Sequence, residues 1–252
     1  NGPCGPCSEI YFDNQPGKPY PDKKGLKELP GDRFTEIGNC VFTQFDRQAS
    51  GELLPLPQKN IDVGLGLERI AAVLQQKPNN FETELFRPYL DHLGKLTGTP
   101  YGADKARDIR MRRIADHVRA VTFCIADGAL PSNEGRGYVL RKILRRAARD
   151  GYELGLEQPF LFAMVDLVGE LMGDQYPEVR ESRGQCRAVL KGEEENFLVV
   201  YRQGMARLDE FLQKAGPGKG QQLAGSGAFA FQLHDTYGFP IDITQKVMEE
   251  RG

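Results

Sequence analysis

Between Arg136 and Arg149 the chain carries six basic residues and no acidic one. Within that run Val139, Leu140, Ile143, Leu144 and Ala147 recur at a spacing of three and four, which predicts a helix with one buried stripe. Lys142, Arg145, Arg146 and Arg149 are then expected to project outward. A helix seated by its apolar face, with cations along the other, has the form of a phosphate-backbone contact surface. The alternative is a solvated basic face laced by i,i+4 ion pairs. It is weakened because the run holds no acid to pair with.

The net charge of −2 conceals this concentration. Residues 1–100 hold 11 basic and 13 acidic side chains, residues 101–150 hold 12 and 6, and residues 151–252 hold 10 and 16. A basic centre between acidic ends points to a localised anionic partner. At 252 residues the chain suits one large or two ordinary domains with a real core. No apolar run is long enough to span a bilayer. The opening Asn1-Gly2-Pro3-Cys4, without Met, gives the expectation of an interior piece of a longer polypeptide.

Five cysteines, at 4, 7, 40, 124 and 186, are odd in number and scattered. That argues against a disulfide framework and for a reducing, cytoplasmic setting. Cys4-Gly5-Pro6-Cys7 lacks the second CxxC or paired histidines of a zinc site and precedes a strand-like segment rather than a redox helix. A rigid Gly-Pro turn with small side chains is the preferred reading; a metal or redox role is the rival.

In chain order, a short strand is expected at 9–12 and a surface excursion at 13–33. A strand follows from Phe34 to Phe45, with Ile37, Asn39 and Val41 on one face and Glu36, Gly38, Cys40 and Phe42 on the other. Asn39 between two aliphatic neighbours is either satisfied by nearby backbone or aimed into a small pocket. Residues 46–59 read as a turn-rich link. Residues 60–64 read as a strand ending in glycines, with a helix from about Leu65. Asp62, Gly64, Gly66 and Arg69 within eight residues suggest a site for a zwitterion or nucleotide. Helical spacing is expected over 82–96, 107–127, 137–154, 158–171, 177–214 and 227–233. Gly216-Pro217-Gly218-Lys219-Gly220 lacks the ending of a phosphate loop and reads as a connection.

Several of these segments together resemble the alanyl-tRNA synthetase family of class II aminoacyl-tRNA synthetases. They are Gly2–Glu9, Glu36–Phe42, Asp62–Arg69, Ile114–Arg119, Ala126–Gly128, Pro131–Arg141 and Asp235–Pro240, in the family's order along the whole chain. The resemblance implies an α+β architecture. Residues 1–78 would be the C-terminal part of an antiparallel-sheet catalytic domain including the third class II motif. Residues 79–252 would be a mostly helical domain recognising the tRNA acceptor stem.

By the same resemblance the substrates are alanine, ATP with Mg2+, and tRNA(Ala), joined through an alanyl-adenylate. Arg69 would meet ATP, a role a planar guanidinium suits. Asp62 would receive the alanine ammonium, and Gly64, Asn39 and Val41 would line a methyl-sized pocket. Glu36 would be an acidic Mg2+ ligand. For Glu36 and Asn39 to converge, a bulge near Gly38 is needed. Asn133 and Asp235 would read a G·U wobble pair, with Arg145 beside them, while Arg136, Arg141, Lys142, Arg146 and Arg149 would grip phosphates. Without the resemblance, turn chemistry favours Asn133 as an ordinary turn or helix-cap residue, and Asp235 likewise could cap a turn.

The family usually has Trp where Gly38 stands, and this chain has no Trp. The first two class II motifs find no counterpart in these residues, so the chain alone is expected to be impaired in adenylate formation. The family's zinc belongs to an editing domain whose paired-histidine pattern is not found here. A non-catalytic RNA-binding protein on the same scaffold is the rival from another class.

Overall fold

The computed structural model describes residues 2–20, 33–215 and 226–250. The connection read at 216–220 and most of the excursion at 13–33 lie outside them. Two compact units divide at Pro88 and Tyr89.

The first unit is built on an antiparallel sheet of β1 (Gly2–Cys4), β2 (Cys7–Asp13), β3 (Phe34–Arg47) and β4 (Leu53–Leu65), followed by α1 (Leu67–Leu74) and a 3₁₀ turn at Asn80–Glu82. Strand β3 is central: β1 and β2 pair with it at its two ends, and β4 also runs beside it. Ile10 pairs with Gly38 but Tyr11 pairs with Glu36, so Ile37 is an extra residue and β3 bulges where it was expected to.

The expected link at 46–59 is instead largely strand. Phe45, Asp46 and Arg47 pair with Pro55, Leu54 and Leu53. Pro55 and Pro57, which argue for a link, are tolerated because β4 has no further strand on its outer side among the described residues. In the Cys4–Cys7 segment, a Cβ at Gly5 would overlap the Phe42 carbonyl oxygen, and Phe42 N–H donates to the Pro6 carbonyl at 2.8 Å. Only glycine permits that approach.

The second unit is helical: α2 (Arg87–Thr97), α3 (Lys105–Ala126), α4 (Gly135–Glu153), α5 (Leu161–Met172), α6 (Pro177–Glu181), α7 (Arg183–Ala215), α8 (Ser226–Asp235) and α9 (Ile241–Glu250). Its core includes Tyr89, Leu90, Met111, Ile114, Leu144, Met164, Phe197 and Tyr201, all almost wholly buried.

Several helix limits differ from expectation, each for a local reason. Pro88 fits only the first turn of a helix, so α2 starts at Arg87 rather than Glu82. Helix α5 starts at Leu161 because the Glu194 carboxylate, distant in sequence, accepts from Phe160 N–H at 3.1 Å and Leu161 N–H at 2.9 Å. The helix expected over 177–214 breaks at Ser182, whose hydroxyl donates to the Glu178 carbonyl at 2.7 Å. Helix α9 was not anticipated, although Ile243 and Val247 supply its buried stripe.

The stripe on α4 also needs correction. Leu140, Leu144 and Ala147 are buried as expected, but Val139 is exposed. Arg149, expected in solvent, is only 5% exposed. Helix α4 packs against α3 along its C-terminal half, where buried Asp150 is gripped by Arg110 and Arg113 at 3.1 and 3.3 Å. Arg149 is drawn in beside it. Burial raises the Asp150 carboxyl above its usual value, and the two arginines oppose that rise.

Candidate functional site

Strand register brings the residues singled out in the first unit onto one face. Val41 lies opposite Asp62 and Asn39 opposite Gly64. Opposed residues on antiparallel strands share a face, and so do positions two apart. Asn39, Val41, Asp62 and Gly64 therefore line one surface of the sheet. A Cβ at Gly64 would lie 3.2 Å from the Asn39 Oδ1, so the missing side chain keeps the carboxamide clear.

The bulge at Ile37 turns Glu36 back towards this surface. Arg69, on the first turn of α1, reaches it from the next segment: its Nη1 donates to the Glu36 carbonyl at 2.8 Å and lies 3.4 Å from the Glu36 Oε2. Gly66 makes that path possible. A Cβ there would stand 3.2 Å from the Arg69 Cδ, so the arginine stem lies across bare backbone. Gly66 N–H donates to the Ile37 carbonyl at 3.0 Å, tying the start of α1 to the bulge. A side chain at Gly38 would overlap Leu65 Cδ2 and lie 2.7 Å from the Gly64 carbonyl. Leu65 thus fills the space that a side chain at position 38 would take.

Two residues were not singled out for this surface: Glu9 opposite Asn39, and Tyr11 opposite Glu36. Tyr11 donates to the Glu9 carboxylate at 2.5 Å. That bond first, with the negative charges of Glu9 and Glu36, raises the phenol above its usual value, while Arg69 pulls the other way. The alternation of β2 could have revealed both, since 9 and 11 share a face. The surface is anionic, with Arg69 entering it from α1. The Glu36 carboxylate is partly exposed and lies beside the Arg69 guanidinium, a single oxygen donor rather than a complete metal site. Among the described residues no group of three or more His, Cys, Asp or Glu side chains is arranged to hold a metal alone. No helix among them is long and apolar enough to cross a membrane.

The second unit presents the cationic side of α4. Arg136 and Arg146 are exposed; Lys142 and Arg145 are part-buried. The acids missing from the run arrive from elsewhere. Glu193 on α7 meets Arg141 at 2.7 Å, and Asp242 on α9 meets Lys142 at 3.6 Å. Arg145 lies over the Phe197 ring at 5.7 Å. Burial, then the charge of Arg141, lowers its guanidinium below its ordinary value.

Tyr138, Arg141, Arg145 and Arg146 line a cavity of about 160 Å³ with His234 and Asp242. A second, of about 520 Å³, runs on from Arg146 and Asp242 to Arg113, His117 and Lys246. Asn133 accepts a hydrogen bond from Arg141, and Asp235 follows His234. Neither residue lines the first cavity itself: Asn133 touches a residue that does, and Asp235 is the sequence neighbour of another. Asn133 does not cap α4, which begins after Glu134 without a side-chain cap.

The profile of the family described as tRNA synthetases class II (A) matches residues 1–252. An alanine–tRNA ligase of Halalkalibacterium halodurans is 46% identical over 255 residues, covering 100% of this chain and 29% of that protein. One of Carboxydothermus hydrogenoformans is 47% identical over 251 residues, and one of Thermus thermophilus 48% over 256, each covering all of this chain and 28% of the relative. The chain thus spans under a third of the length of the curated relatives it matches. With a family match along its whole length, on a sheet that gathers Asn39, Asp62 and Gly64 with Arg69 reaching Glu36 from α1, the chain belongs to the class II tRNA synthetases.

Proposed function

We propose that the chain supplies the alanine- and nucleotide-binding sheet and the acceptor-stem-binding helices of an alanine–tRNA ligase. The observation that carries this reading is the common face of Asn39, Val41, Asp62 and Gly64, with Arg69 anchored at Glu36 beside it. Asp62 receives the substrate ammonium. Val41 and the bare backbone of Gly64 leave room for a methyl group, and Asn39 orients the carboxylate end. Arg69 stacks on or bonds the nucleotide, and Glu36 takes a share of the Mg2+ that accompanies ATP.

The alanine carboxylate then attacks the ATP α-phosphate, pyrophosphate leaves, and the alanyl group passes to the terminal ribose of the tRNA. Positioning and stabilisation of phosphoryl charge carry the rate, and no general base is required. In the second unit, Asn133 and Asp235 read the G·U pair, with Arg145 alongside. Arg136, Lys142 and Arg146 contact the phosphate backbone, and Arg149 supports them from beneath.

Calorimetric titration of the chain with a non-hydrolysable alanyl-adenylate analogue tests the first half. Saturable binding that Asp62→Asn weakens at least about tenfold is expected, the loss of one hydrogen bond to a charged group. Undiminished binding by Asp62→Asn sinks the assignment. For the second half, Asn133→Ala and Asp235→Ala should each lower the preference for an acceptor helix with G·U over one with G·C. Equal losses on both helices remove them from the recognition role.

A further inference from the structure

The Arg141 guanidinium is enclosed. Its Nε and Nη2 donate to the two oxygens of Glu193 at 3.0 and 2.7 Å, forming a two-pronged pair with α7. Its Nη1 donates to Asn133 Oδ1, and its Nη2 lies 3.5 Å from the Pro131 carbonyl. The loop that carries Asn133 is also pressed onto the helix. Ser132 Oγ donates to the Glu134 carbonyl at 2.8 Å, and a Cβ at Gly137 would overlap Ser132 and the Leu130 carbonyl. Helix α7 therefore holds Arg141, and Arg141 holds the 131–133 loop.

We infer that Arg141 is a positioning residue that fixes which end of the Asn133 carboxamide faces RNA, rather than a phosphate contact. A guanidinium has donors only, so the Asn133 atom facing it is the oxygen. The Nδ2 group, with two donors, is the end of the carboxamide that Arg141 does not occupy. A freely rotating asparagine offers donor and acceptor alike and discriminates poorly. One whose oxygen is occupied offers donors alone, and so selects base-edge acceptors. Glu193 keeps Arg141 from turning to a phosphate. This rests on the reading of Asn133 as an acceptor-stem contact and says how that contact is made specific.

The test is equilibrium binding of the 252-residue chain to acceptor-stem RNA helices that differ only in a G·U or G·C pair, over a range of salt. Arg141→Gln and Glu193→Ala are each expected to reduce the G·U preference about tenfold, the worth of one well-made hydrogen bond. The slope of log affinity against log salt should stay at its unsubstituted value in Arg141→Gln. Asn133→Asp, which keeps the shape but offers only acceptors, should lose the preference as fully as Asn133→Ala.

A phosphate contact at Arg141 predicts otherwise: the slope falls by about one in Arg141→Gln while Glu193→Ala keeps the preference. That result overturns the inference and leaves the role of Asn133 standing. A preference unaltered by Asn133→Ala removes the underlying reading and the inference with it. Thermal melts of each variant distinguish lost aim from lost fold, and Glu193→Ala, altered on a different helix, supplies an independent route to the same loss.

Discussion

Arg69 Nη1 donates to the backbone carbonyl of Glu36 at 2.8 Å while standing 3.4 Å from the same residue's carboxylate. Both side chains are substantially exposed, so the ion pair itself contributes little to stability. Its consequence is orientation: the carbonyl bond holds the guanidinium over the sheet whatever the carboxylate does. Arg69→Lys is therefore expected to weaken ATP binding at least about tenfold, because an ammonium cannot hold the carbonyl and present a flat face to a base. Glu36→Gln should leave adenosine binding nearly intact and weaken the Mg2+-dependent part of ATP binding. Titrations with and without Mg2+ check both, and equal effects of the two substitutions on adenosine refute the division of labour.

Gly64 faces Asn39 across the β3–β4 pair, and a Cβ there stands 3.2 Å from the Asn39 Oδ1. That separation is tight, so Gly64→Ala must push the carboxamide or the ligand aside. Alanine binding is expected to weaken about tenfold and glycine binding less, since overpacking costs on the order of 1–3 kcal/mol. Competition against the adenylate analogue measures both, and an unaltered alanine affinity shows that the amino acid lies elsewhere.

How far the chain could be read in advance follows from the range of each interaction. The sheet face was legible because Asn39, Val41, Asp62 and Gly64 sit within strands whose alternation is local, and even the bulge at Ile37 followed from asking Glu36 and Asn39 to meet. Strand β4 was half missed because prolines at 55 and 57 argue against a central strand and say nothing of a strand with one neighbour. On α4 the helix was legible and the fate of its cations was not. Arg141, Lys142 and Arg149 find Glu193, Asp242 and a buried setting through packing against α7, α9 and α3. No pattern within residues 136–149 encodes those partners.

That contrast separates two arginines three residues apart. Arg146 is exposed and borders both cationic cavities, whereas Arg149 borders only the second and is 5% exposed beside buried Asp150. Arg146→Ala is expected to lower affinity for every acceptor helix and reduce the salt slope by about one, with the melting temperature unaltered. Arg149→Ala should instead destabilise the helical unit by roughly 3 kcal/mol, the scale of breaking a buried charge arrangement. Filter binding and thermal melts on the two variants give a crossed pattern; a matching pattern in both shows that burial does not divide their roles.

Glu194 gives the helical unit a pH dependence of its own. The side chain is fully buried, and burial raises its carboxyl from 4.5 to about 7, although the amides of Phe160 and Leu161 favour the charged form. A folded-state value above the unfolded one means that the native chain holds its proton longer. The associated stability is fully present below about pH 4.5 and is lost as pH rises through about 7. Its full size is on the order of 3 kcal/mol, from the free energy of one pKa unit. Glu194→Gln keeps an oxygen for the two amides and removes the titration. Its stability relative to the unsubstituted chain should therefore improve steadily between pH 5 and pH 7.5 and level off above. Urea unfolding followed by helical circular dichroism at several pH values measures that difference. A gap between the two proteins that stays constant across the range shows that Glu194 does not titrate there.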